Sequence, residues 1–333
     1  MDEQLTNTPI LVSIRCCTYN HESYIRQCLD GFVMQKTNFR FEAIVHDDAS
    51  TDGTAAIIRE YASLYPDIIK PIFEEENQYS KHDGSLSKIL NSHMRGKYIA
   101  LCEGDDYWTD PYKLQKQINY MESHPECVLT HTGFSYLENG KTTIAEKEGE
   151  KIKEISDSKI IFNILNGNNY RIQTCTAIYR LATYYTILPQ LKKINGLFLM
   201  GDTPLWVNLL QCGTIHYIDS PTSVYRIGND TASHPKSLKS ILRFNLSCAE
   251  MRVYFSHLCN YEEQNLFAKQ FIKEYIKYKP FNRDYTPVVN IHLNAISKFI
   301  LDSKVILSIY KYYLRVVYTL RIIKHKLFDK FQK

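Results

Sequence analysis

Residues 98–108 read YIALCEGDDYW, and the reading of this stretch decides the fold. The apolar run 98–102 is too short for a helix and is bounded by Gly96 and Gly104, so it predicts a buried strand. The strand then delivers Glu103, Asp105 and Asp106 in close succession. Like charges packed at a strand end are unfavourable without a compensating cation, because each raises the pKa of the others. A hard divalent ion is one resolution, since Mg²⁺ or Mn²⁺ is commonly held by one or two carboxylates while phosphates and water complete its shell. A solvated acidic turn ahead of a helix near Pro111 is the other.

Upstream, 11–16 predicts a strand that ends in the polar turn Cys17, Thr18, Tyr19, Asn20. Ser23 is placed to cap a helix whose apolar positions Ile25, Leu29, Phe32 and Val33 recur at helical spacing through Met34. A second strand over 41–46 runs into Asp47, Asp48 and a turn-rich segment to Gly53, followed by a helix carrying Ile57, Ile58, Tyr61 and Leu64. A strand over 69–73 and a helix over 86–93 complete the approach to the opening stretch. Strand and helix alternating through short links is the signature of a parallel sheet flanked by helices. In such sheets ligands bind beyond the carboxyl ends of the strands, so the polar clusters at 18–20, 47–48 and 103–106 are expected on one rim.

These three segments carry a resemblance. Val12-Ser13 through Thr18-Tyr19-Asn20, then Val45 through Asp47-Asp48-Ala49-Ser50-Thr51-Asp52-Gly53-Thr54, then Gly96-Lys97-Tyr98-Ile99-Ala100 with Glu103-Gly104-Asp105-Asp106, are similar in order and spacing to the nucleotide-sugar-binding half of the family 2 glycosyltransferases. The resemblance extends to about residue 235 and implies the GT-A fold, a Rossmann-like, mainly parallel mixed sheet flanked by helices. It implies that Asp48 accepts a hydrogen bond from the nucleotide base, usually uracil. Tyr19, with Thr18 and Asn20, lies in the loop beside that base, and Asp47 and Asp106 belong to the donor site. Glu103 and Asp105 match the two acids of the DxD motif, with Asp105 as ligand to Mn²⁺ or Mg²⁺ and Glu103 facing the ribose or a metal-bound water. Cys17 stands where proline is common, and Glu103 replaces the usual first aspartate.

Downstream the pattern predicts an amphipathic helix from Pro111 through Met121, a strand over 128–132, and a hairpin through the Asn139-Gly140 turn. The charged stretch 146–153 reads as a surface loop. A strand over 171–179 would place Thr174 and Thr176 on one face, as candidates for an acceptor pocket or as ordinary strand threonines. Trp108 is a further acceptor candidate. Asp202 precedes Pro204, Leu205 and Trp206, so it can cap a helix. The family resemblance instead implies that Asp202 is the catalytic base of an inverting transfer. Strands over 215–218 and 222–225 end in Tyr225-Arg226, where Arg226 can steady phosphate or form an ion pair; the histidine often found next in the family is absent.

Hydrophobic residues make up 44% of the 333, enough for a substantial core. The nine cysteines show no CxxC spacing, which suits small core residues in a reducing compartment. His124, Cys127 and His131 lack an evident fourth zinc ligand. No secretory signal or spanning run is apparent, so a cytoplasmic location is expected. From 238 the chain reads as helices over 238–259, 262–279 and 287–301. The last segment, 304–333, carries eight Lys or Arg against Asp329 alone and sets an apolar stripe opposite charge. Such a helix can lie on an anionic membrane surface, here the inner face of the cytoplasmic membrane, or dock on the catalytic domain. No nucleic-acid motif accompanies the basic residues.

The expected organisation is a catalytic domain over 1–235, divided into a nucleotide-sugar half (1–110) and an acceptor half (111–235), with a helical region over 236–333. The expected partners are a nucleotide-sugar donor and a glycan or lipid-linked saccharide acceptor. A sugar nucleotidyltransferase and a non-enzymatic membrane or glycan-binding protein are the rival readings; the glycine-rich first loop of the former is missing, and Thr18-Tyr19-Asn20-His21 stands there.

Overall fold

In a computed structural model the chain is described at residues 8–146, 149, 152, 159–167, 171–228, 237–259, 264–282 and 284–288. It divides into two compact units, one of Met1–Gly196 with Asp202–Gly228, the other of Leu197–Gly201 with Asn229–Lys333.

The first unit is built on a nine-stranded sheet in the order β3-β2-β1-β4-β8-β6-β9-β5, with β7 paired to β6. Strands β1 (Ile10–Thr18), β2 (Arg40–Asp47), β3 (Ile69–Phe73) and β4 (Tyr98–Leu101) are mutually parallel. The chain steps outward from β1 to β3 and returns to β1's other side at β4, so the order reverses between β1 and β4. In sheets of this kind, ligands bind beyond the carboxyl ends of the strands at such a reversal. Helices α1 (Ile25–Val33), α2 (Thr54–Leu64) and α3 (Ser85–His93) are the crossovers. Alternate residues Val12, Ile14 and Cys16 are fully buried and pack with Ile25, Leu29 and Phe32 of α1. The anticipated cap at Ser23 does not form: Tyr24 holds the N-cap position and no side chain caps α1.

Beyond β4 come β5 (Tyr107–Trp108), α4 (Lys113–Ser123), β6 (Cys127–Glu138) and β7 (Lys141–Ile144). The hairpin turns as anticipated at Asn139 and Gly140, which both adopt positive φ, 49° and 77°, the conformation of a type I′ turn. The segments read as 128–132 and as the hairpin's first arm are one continuous strand. Likewise 215–218 and 222–225 join into β9 (Thr214–Arg226), whose pairing with β6 shifts register near Gly133. Among the described residues, the helices α5 (Ile160–Asn166) and α6 (Leu181–Lys193), the latter containing Pro189, were not anticipated, and Glu146, Gly149 and Ile152 are helical where a surface loop was expected.

The strand expected over 171–179 is not one strand. Thr174–Thr176 form a 3₁₀ turn and only Ile178–Arg180 pair, as β8. The carbonyls of Cys175 and Thr176 are taken by side chains, Trp108 Nε1 and Ser223 Oγ on the first, Lys113 Nζ and Gln117 Nε2 on the second. A backbone whose acceptors are satisfied this way has no ladder to offer a neighbouring strand. Helix α7 (Asp202–Leu210) buries Leu205, Trp206, Val207 and Leu209.

In the second unit α8 (Leu238–Leu258) packs on α9 (Gln264–Tyr278), and a 3₁₀ turn follows at Lys279–Phe281, where Pro280 interrupts the helix. Glu250 is buried on α8 and accepts from Tyr285 Oη (2.6 Å) and the Val288 backbone N–H (3.0 Å). The basic segment 304–333, most of the helix expected over 287–301 and most of the charged stretch 146–153 lie outside the described residues.

Candidate active site

The end of β1 and the end of β2 are clasped by side chains that sequence reasoning had assigned to a ligand. Asn20 has φ of 54°, a left-handed conformation asparagine tolerates. Its backbone N–H donates to Ser50 Oγ (2.9 Å) and its Oδ1 accepts from the Thr51 N–H (2.8 Å). Asp47 is buried and accepts from the Ser50 hydroxyl; burial pushes its carboxyl pKa up and that hydrogen bond opposes the rise. Asp48 is also buried, and its two oxygens accept the backbone N–H groups of Gln78 (2.7 Å) and Tyr79 (3.0 Å). Each oxygen keeps a second lone pair, so the side chain fixes the 77–79 loop and can still receive a further donor. Tyr19 and Tyr79 are exposed. Tyr79 was not singled out from sequence, and its only signal is its place in the loop after β3.

The acidic turn lies against this clasp. The Gly104 N–H donates to the Cys17 carbonyl (2.9 Å), which holds the turn against the end of β1. A β-carbon at Gly104 would meet Thr18 Cβ and Oγ1 at 2.7 Å and His21 Nδ1 at 3.0 Å. Thr18 Oγ1 and His21 Nδ1 are buried without a hydrogen-bond partner among the described residues. Burial lowers the His21 pKa, while the charges of Asp105, Asp52 and Asp47 oppose that shift. His21 therefore faces the acidic turn, a placement that no local pattern indicated.

Within the turn the three acids diverge. Burial raises the Glu103 pKa to about 7, Asp105 and Asp202 add to the rise, and Arg15 opposes it. Arg15 was missed at the sequence level; its signal was strand alternation, which sets it opposite the buried Ile14 and Cys16 face. The Asp105 carboxylate is half-buried and accepts no hydrogen bond among the described residues. Asp106 is buried, its pKa well above the usual range through burial and then the Asp105 charge, and its Oδ1 accepts the Arg226 backbone N–H at 2.8 Å. Its carboxylate thus serves the fold. The Arg226 guanidinium is committed too: Nε donates to the Asp105 carbonyl (2.9 Å), Nη2 to Gln27 Oε1 (3.0 Å), and the plane lies 4.5 Å from the Tyr24 ring centroid.

Asp202 opens α7 on the far side of the turn in sequence, yet its charge contributes to the Glu103 shift, so both carboxylates share one electrostatic neighbourhood. Its Oδ2 accepts the Thr174 hydroxyl at 2.7 Å, and its Oδ1 accepts no hydrogen bond among the described residues. The capping role that the sequence allowed is not seen, since no α7 amide reaches this carboxylate. Two acceptor candidates are withdrawn into the core. Trp108 is 2% exposed, packs edge-on against Phe32 and spends its N–H on Cys175. Thr176 is fully buried and donates to the Gln173 carbonyl (2.6 Å). Neither presents a surface to an acceptor.

No cluster of three or more His, Cys, Asp or Glu able to enclose an ion exists among the described residues. The Glu103 and Asp105 pair nevertheless fits a divalent cation of the kind that takes most of its shell from phosphate and water. The Glu103 pKa is raised by burial first and then by the Asp105 and Asp202 charges, and Asp105 has no donor of its own among the described residues; a cation would offset the negative charge on both. The rim therefore brings together an acid pair whose chemistry suits a cation, at the strand ends where the sheet order reverses, and a carboxylate with one oxygen that accepts nothing among the described residues.

The family model for glycosyl transferase family 2 matches residues 13–187. An uncharacterized Mycobacterium tuberculosis protein is 41% identical over 179 residues, 54% of this chain and 49% of that relative. The chain thus spans about half the length of the first of the curated relatives it matches. A putative teichuronic acid biosynthesis glycosyltransferase of Bacillus subtilis, TuaG, is 27% identical over 233 residues, 70% of this chain and 85% of TuaG. Among solved structures, S. aureus TarS 1–349 in complex with UDP-GlcNAc aligns with a TM-score of 0.54 at 17% identity, covering 88% of this chain and 78% of that one. The mannosyltransferase PcManGT of Pyrobaculum calidifontis, in complex with GDP-Man and Mn²⁺, aligns with a TM-score of 0.53 at 13% identity, covering 93% and 90%. Likeness at such identities shows the fold.

Proposed function

The chain belongs to glycosyl transferase family 2, and on that premise we propose that it transfers a sugar from a nucleoside-diphosphate sugar, with uridine as the expected base, to a hydroxyl of a glycan or lipid-linked saccharide, inverting the anomeric centre. The observation that carries this reading is the open Oδ1 of Asp202 in the electrostatic neighbourhood of Glu103. In the family-wide arrangement the donor's diphosphate lies at the DxD acids, so a base able to reach the same cleft can act on an acceptor hydroxyl.

In this reading Thr18, Tyr19, Asn20, Asp47 and Asp48 shape the nucleotide side of the rim, and Glu103 and Asp105 hold Mn²⁺ or Mg²⁺. The complex of PcManGT with Mn²⁺ supports a divalent cation. When bound, such an ion neutralises the diphosphate as negative charge develops on it. Asp202 removes the proton from the acceptor hydroxyl as that oxygen attacks the anomeric carbon from the face opposite the leaving phosphate. Asp106 and Arg226 hold the acidic turn in place. The names of TuaG and TarS's ligand support a role in cell-surface polysaccharide synthesis and a UDP-sugar donor. The division into a catalytic region over 1–235 and a helical region over 236–333, together with a peripheral membrane contact through 304–333, forms part of the same proposal. No helix among the described residues is long and apolar enough to cross a membrane.

The test is a screen of nucleotide sugars with Mn²⁺ for released nucleoside diphosphate. Asp202→Asn should abolish turnover while retaining nucleotide affinity, and Asp105→Asn should lose both. Full turnover by Asp202→Asn would overturn the assignment of the base, and turnover indifferent to chelation would overturn the metal.

A further inference from the structure

An aspartate in the first turn of a helix lies beside the helix's open amide groups, from which its carboxylate can accept hydrogen bonds. Asp202 does otherwise. Its Oδ2 accepts the hydroxyl of Thr174 at 2.7 Å, residues 28 apart in sequence, and Oδ1 accepts nothing among the described residues. We infer that Thr174 is a positioning residue that holds Asp202 away from helix capping and in the orientation a base requires. The inference rests on the functional reading above and deepens it.

The device that makes Thr174 suitable is the 3₁₀ turn itself. Its next two carbonyls are gripped by four buried donors: Cys175 O by Trp108 Nε1 (2.8 Å) and Ser223 Oγ (3.1 Å), Thr176 O by Lys113 Nζ (3.1 Å) and Gln117 Nε2 (3.0 Å). The Ala177 carbonyl then accepts the Leu101 N–H (3.0 Å). Leu101 ends β4, two residues before Glu103. Thr174 is therefore fixed to the same strand that presents the acidic turn, and through its hydroxyl the position of Asp202 is referred to that strand. Without the hydroxyl, Asp202 is anchored only by its own helix, where the Thr203 and Leu205 amides can compete for its oxygens and Pro204 has no N–H to offer. The geometry also assigns the oxygens: Oδ2 is held and Oδ1 meets the acceptor.

A capping aspartate and a positioned base make opposite predictions when the hydroxyl is removed. Thr174→Val keeps the shape of the side chain and deletes the donor. It should lower kcat about 10- to 100-fold, the scale of a misplaced catalytic group, leave KM for the donor and affinity for the nucleotide unchanged, and leave the melting temperature unchanged or raised, because Asp202 gains the cap. Thr174→Ser restores the donor and should recover kcat to near wild type. Turnover is read as nucleoside diphosphate released from the nucleotide sugar selected in the screen, with water as acceptor where no glycan is supplied. Wild-type kcat in Thr174→Val, a Thr174→Ser variant as slow as Thr174→Val, or a loss of nucleotide affinity and melting temperature in Thr174→Val would each overturn the inference. If Asp202→Asn is inactive while Thr174→Val is fully active, only the positioning role falls; if Asp202→Asn is fully active, the assignment of the base falls with it.

Discussion

The backbone N–H of Arg226 donates to Oδ1 of Asp106 at 2.8 Å, joining the last residue of β9 to the acidic turn across 120 positions of sequence. With Arg226 Nε on the Asp105 carbonyl, the end of one strand clamps two consecutive residues of the turn. The turn therefore depends on β9, which enters the sheet late in the chain.

That clamp predicts the behaviour of Asp106 variants. Asp106→Ala leaves a buried amide without its acceptor and should cost about 1–3 kcal/mol of stability. Asp106→Asn keeps an oxygen for the amide and should cost less than Asp106→Ala. Urea denaturation of the two variants checks the order, and equal losses would show that the acceptor is not what Asp106 supplies.

Gly104 separates the two acids that we assign to the cation, and a β-carbon there would press on Thr18 from 2.7 Å. Overlap of that kind forces the turn away from β1 or Thr18 out of its rotamer. Gly104→Ala should therefore weaken nucleotide affinity at least about tenfold, the effect of about 1.4 kcal/mol, in calorimetric titrations with UDP and Mn²⁺. Unchanged affinity would mean that the close approach is not part of the donor site.

Metal removal offers a separate check on the acid pair. Nucleotide affinity should fall on chelation in the wild type, and Asp105→Asn should show little difference with and without Mn²⁺. A variant that keeps the full metal response would place the ion elsewhere.

Lys113 sits fully buried beneath the 3₁₀ turn, with its Nζ 4.7 Å from the Trp108 ring centroid, and burial lowers its pKa from 10.5 to about 7. Between those values the unfolded chain binds a proton that the folded chain does not, so stability rises with pH across that window and is lost as pH falls toward 7. The slope from this group is about 1.4 kcal/mol per pH unit. Denaturation at two pH values inside the window should show the wild type gaining on Lys113→Met as pH rises. Parallel curves would mean that the lysine titrates near its ordinary value.

The strands and the rim were legible from local pattern. The 69–73 strand matches its observed bounds, and β1, β2 and β4 differ by a residue or two at their ends. The match reflects how directly an alternating or continuous apolar run between turn residues reports a strand. The polar clusters at 18–20, 47–48 and 103–106 followed because strand ends in a parallel sheet share a rim. Among the features that were not legible, two lie in the 171–179 segment. The 171–179 segment has strand propensity throughout, but Lys113, Gln117, Trp108 and Ser223 claim its carbonyls from other elements. Thr174 and Thr176 alternate as though on one face, yet one reaches Asp202 and the other is sealed in the core.

Taken by itself, the order of residues determined the parallel β1–β4 core, its acidic edge and the membership in glycosyl transferase family 2, because these depend on periodicity, turn chemistry and motif spacing within short windows. Only the tertiary structure decided which acids remain available. Asp106 Oδ1 takes the Arg226 amide, Asp48 is fixed by the 77–79 loop yet keeps a lone pair on each oxygen for a further donor, and Asp202 Oδ2 takes the Thr174 hydroxyl. The reason is that a carboxylate's role is set by the donors that reach it, and here each donor arrives from an element or loop distant in sequence.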